Sequence, residues 1–324
     1  MTRGFITIAT GREEYFFYAR NLLLSYRLFT DKPYPFSIVC DAENEYTALF
    51  DRTILIQPGE HPYFDKFELL RLAPYDETIF IDADCLAYHD LNAFWDYFAQ
   101  ADDFSASGSN YPTDCGGGLF QIDEIGSYKE RVSWRPDIHG GLYFIRKGPV
   151  CERIYLDCQE IAQHYEDFHW PDICAPFADE PVLCLAMAIN GCHATEVEPE
   201  NYGIPWEVTK LHCDLFTGTC VYATSWHPTV SRGRMIHWSV RYCHKPLYQF
   251  EVEKLELMCK RGIRPERNGI HLDLKNTLLY RFRLRYYSLC LKELSNRIVR
   301  KIWRMIIRYT SNKEKNLKKT PRHK

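Results

Sequence analysis

Thr78-Ile-Phe-Ile-Asp-Ala-Asp-Cys-Leu-Ala-Tyr-His-Asp-Leu91 is the stretch from which the chain is best read. Thr78 to Ile81 is a short apolar run of β-branched and aromatic residues, the pattern of a buried strand, and Asp82 and Asp84 stand where it ends. In open α/β sheets, ligands bind beyond the carboxyl ends of the strands. Two carboxylates there cannot both lose water without a cation, so a divalent metal is the natural counter-charge and would in turn hold a diphosphate. An Asp-x-Asp alone also fits a solvated surface pair, and the flanking sequence sharpens the reading. His89-Asp90-Leu91 leads into Asn92 to Phe98, a capped helix that packs its aromatics inward.

With 324 residues, 46% hydrophobic and 15% aromatic, the chain has material for one large α/β domain or two small ones, and disorder is not the default reading. Thirteen scattered cysteines without a C-x-x-C pair suggest neither a disulfide framework nor a zinc ribbon, and thiols at this frequency suit a reducing compartment. The N-terminus enters a strand with no signal-like apolar segment, and the longest uncharged apolar run, Val182 to Ile189, is too short to span a bilayer. A cytoplasmic protein is expected. The net charge of −3 hides an asymmetry: residues 275–324 hold 16 Lys and Arg against 2 acids, leaving 24 bases and 41 acids elsewhere.

In chain order, Gly4 to Ala9 reads as a strand, Thr10-Gly11 as a break, and Glu13 to about Leu28 as a helix, an opening common to nucleotide-binding folds but without a G-x-G-x-x-G fingerprint. Tyr15 fits either a base-stacking ring or a core aromatic. Pro35 to Asp41 and Arg52 to Gln57 are further strands, and Tyr63 to Leu72 a helix presenting Lys66, either solvated or facing an anion. Asp102 to Ser107 is another strand. The passage from Gly108 to Pro136, with Cys115-Gly-Gly-Gly118, reads as a lid or acceptor loop. Pro149 opens a helix to about Tyr165 with Cys151 and Cys158 on its buried face. Asp179 and Glu180 begin a helix, where acids complement the dipole or, near a reacting centre, serve as base or nucleophile. Cys220 to Trp226 and Arg234 to Trp238 are the last strands.

These segments resemble the nucleotide-sugar glycosyltransferases of the GT-A fold, in particular the family 8 type that includes glycogenin and bacterial lipopolysaccharide galactosyltransferases, discontinuously over about residues 1 to 250. The resemblance implies a Rossmann-like, mostly parallel sheet flanked by helices. It implies that Thr7, Ala9, Thr10 and Tyr15 hold the nucleoside and that Lys66 reaches the donor diphosphate. Asp82, Ala83 and Asp84 form its Asp-x-Asp motif. His139, Gly140 and Gly141 stand at its Asn-Ser-Gly, which touches the donor sugar, with His139 in place of Asn and Gly140 in place of Ser. Asp179 matches the aspartate beneath the anomeric carbon, while Glu180 replaces a glutamine and Cys184 an asparagine. His237 and Lys245 match the third metal ligand and a second diphosphate lysine of its His-x-x-Gly-x-x-Lys-Pro-Trp, although Val240 replaces the glycine and two extra residues precede the lysine. Asp82, Asp84 and His237 together would suit Mn2+ or Mg2+.

Residues 278–310 carry Leu284, Tyr287, Leu291, Leu294, Ile298, Ile302, Met305 and Tyr309 at intervals of three and four, with Arg297, Arg300, Lys301, Arg304 and Arg308 opposite. This basic amphipathic helix suits an anionic membrane surface or docking on the catalytic domain or a partner; no nucleic-acid motif accompanies it, so no nucleic-acid partner is expected. The expected organisation is a catalytic domain over 1–262, a helical extension over 263–310 and a disordered basic tail over 311–324. The expected function is metal-dependent, retaining transfer from a UDP-sugar to a glycan or glycolipid. Two alternatives are a silent membrane-bound nucleotide-sugar-binding scaffold and a metal-dependent phosphatase of the haloacid-dehalogenase type, whose Asp-x-Asp normally ends the first strand of its domain.

Overall fold

A computed structural model describes residues 1–171, 176–197, 202–203, 208–224, 229, 232–266 and 272–317; beyond residue 301 only the side chain of Arg304 is described. The apolar runs at β1 (Arg3–Ala9), β2 (Phe36–Cys40), β3 (Arg52–Leu55) and β4 (Glu77–Ile81) become parallel neighbours. Alternate residues serve opposite faces: Phe5, Ile79 and Ile81 join one core, and Ile6, Ile8 and Phe80 the other. A strand covered on both faces needs an unbroken apolar run, as Thr78 to Ile81 has. The first face is covered by α1 (Glu13–Phe29), the second by α2 (Leu69–Leu72) and later helices.

After β4 the chain turns into β5 (Cys85–Ala87), then a short helical stretch with α3 (Phe94–Tyr97), in which Asp90 accepts the Asn92 backbone N–H and Phe94, Trp95 and Phe98 are buried. The sheet is completed by β6 (Phe104–Tyr111) and β7 (Arg135–Arg146), in the order β3-β2-β1-β4-β7-β6, with β7 alone antiparallel to its neighbours. The fold class expected from the sequence is found. Two local expectations change. Residues 62–68 form a 3₁₀ helix rather than the first turns of an α-helix, its turns tied by Asp65, which accepts from Gly59 N and Thr10 Oγ1 at 2.8 Å each. The passage from Gly108 to Pro136 is no free lid: its ends belong to strands, Phe120, Ile125 and Val132 are buried, and Arg135 donates to the carbonyls of Gly117 and Phe120.

The helices α4 (Pro149–Gln163) and α5 (Asp179–Ile189) pack on the second face, with Cys151, Cys158 and Cys184 buried. Beyond them, β8 (Tyr202–Gly203) and β11 (Met235–His237) join β5 in a small sheet, and β9 (Val208–Asp214) pairs with β10 (Thr219–Thr224). Ser225 and Trp226, read as the end of a strand, lie outside the described residues. Two helices follow, α6 (Ser239–Cys243) and α7 (Pro246–Arg261), the latter stopped by Gly262 at φ 62°. The expected single helix from 278 is interrupted. After α8 (Leu274–Asn276) and a π turn, Arg283 adopts φ 56°, and α9 (Leu284–Leu317) starts anew. That helix passes the 310 boundary, consistent with helix-favouring Lys, Glu and Leu and no Gly or Pro before its end.

The hairpin of β9 and β10 is fastened to α7 by a buried ion cluster. Lys254 Nζ lies 2.7 Å from Glu251 Oε1 and 2.8 Å from Asp214 Oδ1, while Glu251 Oε2 accepts Leu215 N at 2.8 Å. Lys254→Met should strand Glu251 without a cation and cost about 3–5 kcal/mol in denaturant unfolding. A loss below about 1 kcal/mol would show that the cluster does not anchor the hairpin.

Candidate functional site

The carboxyl end of β4 is where the chain gathers its charge. Asp82 leaves the strand with its N–H on Gly141 O at 3.0 Å, Asp82 Oδ1 accepts Ala83 N, and Cys85 N returns to Asp82 O, so the backbone turns sharply beyond β4. Antiparallel pairing of β5 with β11 sets His237 opposite Cys85. Trp238 N then donates to Asp84 O at 3.0 Å, locking that register. His237 Nε2 lies 2.9 Å from Asp84 Oδ1 and 3.6 Å from Asp82 Oδ2.

Lys66 enters from the 3₁₀ segment. Its Nζ lies 3.0 Å from Asp82 Oδ2, 3.2 Å from Asp179 Oδ2 and 3.2 Å from Gly140 O. The solvated-lysine alternative is thereby excluded, for the side chain is only 14% exposed. Burial disfavours its charge, but Asp179 and Asp82 outweigh that and hold the ammonium pKa well above its usual value. For His237 too, burial opposes the charge and Asp84 prevails, raising the imidazole above 6.5; Asp84, itself buried, is drawn below the usual carboxylate range by His237.

Asp179 and Glu180 arrive on the first turn of α5. Tyr143 OH donates to Asp179 Oδ2 at 3.2 Å, and Gly140 N donates to Glu180 Oε1 at 2.6 Å. Burial, then the adjacent Asp179, raises the Glu180 pKa. Gly140 leaves room for this contact, since a Cβ there would stand 2.9 Å from Glu180 Cγ. The strand makes the approach by breaking register: residues 139–142 of β7 stand against Ser107 alone on β6. His139 and Gly141 flank Gly140 in this same interruption, which sequence reading also allowed to be a plain turn.

The nucleoside segment is split. Thr10, following β1, bonds to Asp65, and Gly11, at φ 77°, donates its N–H to Asp41 Oδ2 at 2.8 Å. Tyr15 is partly buried on α1, its phenol pushed up to about 12, chiefly by burial. Ala9 and Thr7 are buried in β1, and the Thr7 hydroxyl has no hydrogen-bond partner among the described residues. Thr7 is thus set in the core rather than at the cleft. Lys245 lies at the start of α7 with its ammonium 3.3 Å from Glu293 Oε1 of α9, apart from the ion pairs of Lys66.

Sequence reading missed Asp41, Asp65, Tyr143 and Cys85. Asp41 ends β2 and was findable by the carboxyl-end rule; Tyr143 sits in an apolar strand that carries no such signal. Cys85 Sγ lies with Asp84 and His237 in a group whose ligand atoms are within 4.8 Å of one another. Asp82, whose Oδ2 lies 3.6 Å from His237 Nε2, offers a carboxylate beside the same pair. The cluster fits a divalent ion. Adjacent ligands about 2.1 Å from an octahedral ion stand about 3.0 Å apart. Asp84 Oδ1 and His237 Nε2 stand at 2.9 Å, a spacing that their ion pair also gives.

No protein-family model and no curated protein matches the chain. Among solved structures, the galactosyltransferase LgtC in complex with donor and acceptor sugar analogs aligns over 84% of this chain and 98% of its own, at 14% identity and a TM-score of 0.50. The apo-form glycosyltransferase GlyE of Streptococcus pneumoniae TIGR4 aligns over 62% of this chain and 46% of its own, at 10% identity and a TM-score of 0.42. The LgtC alignment, with the mixed sheet order and the helices on both faces, shows that this chain has the GT-A fold of glycosyltransferases.

Proposed function

We propose that the chain is a metal-dependent glycosyltransferase that carries a sugar from a nucleotide-sugar donor, first of all a UDP-sugar, to a glycan or glycolipid acceptor with retention of configuration. The observation that carries this reading is the convergence of Asp82, Asp84 and His237 at the carboxyl end of a central strand, with His237 Nε2 2.9 Å from Asp84 Oδ1 and 3.6 Å from Asp82 Oδ2. Bound Mn2+ or Mg2+ on these three residues supplies charge that stabilises the departing diphosphate. Lys66 holds Asp82 and Asp179 in place and keeps an ammonium at the same point. Tyr15 offers a ring to the base, and Thr10 and Gly11, fixed by Asp65 and Asp41, shape the nucleoside end. His139, Gly140 and Gly141 present an interrupted strand to the sugar, with Glu180 pinning Gly140.

Asp179 Oδ2 already accepts from a phenol and pairs with an ammonium, which weakens it as a nucleophile and favours attack by the acceptor on the face the diphosphate leaves. No described helix is long and apolar enough to cross a membrane. On α9, Tyr287, Leu291, Leu294 and Ile298 are each more than half exposed, beside exposed Arg297, Arg300, Lys301 and Arg304. This face suits peripheral attachment to an anionic, cytoplasmic membrane surface, with about 1 kcal/mol from each basic residue near the lipid.

Calorimetric titration of UDP, GDP and CMP with and without Mn2+ tests the donor reading. One nucleotide should bind only with Mn2+ on the wild type, and Asp84→Ala should lose most of that binding. Absence of binding to every nucleotide in the presence of Mn2+ would remove the reading. The raised His237 pKa gives a second test, by Mn2+ titration alone. The imidazole must lose its proton to ligate, so Mn2+ affinity should fall about tenfold per pH unit once the pH drops below that raised value, a decline that begins above 6.5. Affinity that stays level from about pH 8 to about pH 6 would remove His237 from the ligand set.

A further inference from the structure

Lys245 begins α7 and donates its backbone N–H to Tyr242 O at 2.9 Å, so its position is set by α6 and the chain that leaves His237. Cys243, two residues earlier, is buried in the core cluster that also holds Ala83, Cys85 and Trp238, the chain neighbours of Asp84 and His237. The lysine side chain nevertheless meets another anion: its Nζ is 3.3 Å from Glu293 Oε1 on α9. Arg297, one turn on, fixes the same oxygen through Nε at 3.1 Å. Glu293 and Glu314 are the two acids of residues 275–324, against 16 Lys and Arg. A helix so basic places its one acid before residue 314 on the very lysine read as a diphosphate ligand.

We infer that Glu293 occupies Lys245 in the free protein as a stand-in for a phosphate oxygen, so that the donor's diphosphate and α9 compete for one ammonium. This rests on the reading of Lys245 as a donor ligand. A carboxylate and a phosphate oxygen offer an ammonium the same kind of charge-assisted acceptor, and a diphosphate brings more charge. The pair is partly exposed, Lys245 at 41% and Glu293 at 28%, so the latch is weak enough for a ligand to open. Other contacts of α9 with α7, among them the Arg285–Glu253 pair and the Tyr286 ring against Phe250, do not involve the lysine, and so the helix stays tethered when Glu293 lets go. The coupling is reciprocal: whatever draws Glu293 from Lys245 tightens donor binding by the factor that the donor loosens the latch.

The test is calorimetry of UDP and of GDP, each with Mn2+, on the full chain as wild type, Glu293→Gln, Lys245→Ala and the double variant. Glu293→Gln should bind the nucleotide about two- to fivefold tighter, the worth of a partly exposed pair. Lys245→Ala should bind more weakly, and the double variant should show no gain over it. In amide exchange, residues 286–297 of the wild type should exchange faster when the nucleotide is added, and those of Lys245→Ala should not change. Equal affinity of wild type and Glu293→Gln, with Lys245→Ala weakened, would overturn the latch and leave the donor reading standing. A gain from Glu293→Gln that persists without Lys245 would also overturn it, tracing the effect to general charge. No binding of either nucleotide by any form would overturn the donor reading and the latch with it.

Discussion

Four carboxylates, Asp82, Asp84, Asp179 and Glu180, gather in one largely shielded cluster with Lys66 and His237, and much of the fold serves to hold them there. Crowded acids repel and lose hydration, so each must be met by a donor or a cation. Lys66 answers two of them, Tyr143 adds a hydrogen bond to Asp179, and the backbone of Gly140 answers Glu180. Asp84 is met by His237 at 2.9 Å, with the Lys66 ammonium and a backbone N–H adding to the stabilisation of its charge. On the proposed reading, a divalent ion held by Asp82, Asp84 and His237 would add positive charge here and carry the diphosphate.

The fold supplies this arrangement through three devices of unequal range. A strand buried on both faces delivers Asp82 and Asp84 to the sheet's edge. A break in the register of β7 brings the Gly140 backbone against Glu180, which a Cβ at that glycine would obstruct. The small sheet of β5, β11 and β8 carries His237 back to Asp84 from far along the chain. The first is local, and the other two are tertiary.

That difference in range explains what could be read beforehand. The run from Thr78 to Ile81 and its two aspartates were legible because double-faced burial leaves an unbroken apolar signature, and the strand–helix alternation gave the α/β class on the same physical ground. Lys66 was visible only as a candidate; its two carboxylate partners lie on other elements, so nothing in its own helix distinguished it from a solvated lysine. Tyr143 was hidden because a buried phenol that serves a carboxylate looks, in sequence, like any strand aromatic. The continuous amphipathic pattern from 278 concealed the turn at Arg283, since periodicity reports which face is apolar and not where the backbone bends. Thr7 matched a motif by type, yet it lies within β1 and its side chain is closed off by the core. Lys245 likewise matched by type, and its engagement with Glu293 belongs to a contact between α7 and a helix outside the motif.

The central claim is that Asp82, Asp84 and His237 together form a metal–diphosphate site. Anomalous diffraction at the manganese edge, from crystals grown with UDP and Mn2+, tests it most directly. The account predicts a single strong anomalous peak within about 2.0–2.3 Å of oxygens of Asp82 and Asp84 and of His237 Nε2, with diphosphate oxygens on the same ion. UDP bound with no manganese at these residues, or manganese held elsewhere on the protein, would contradict it.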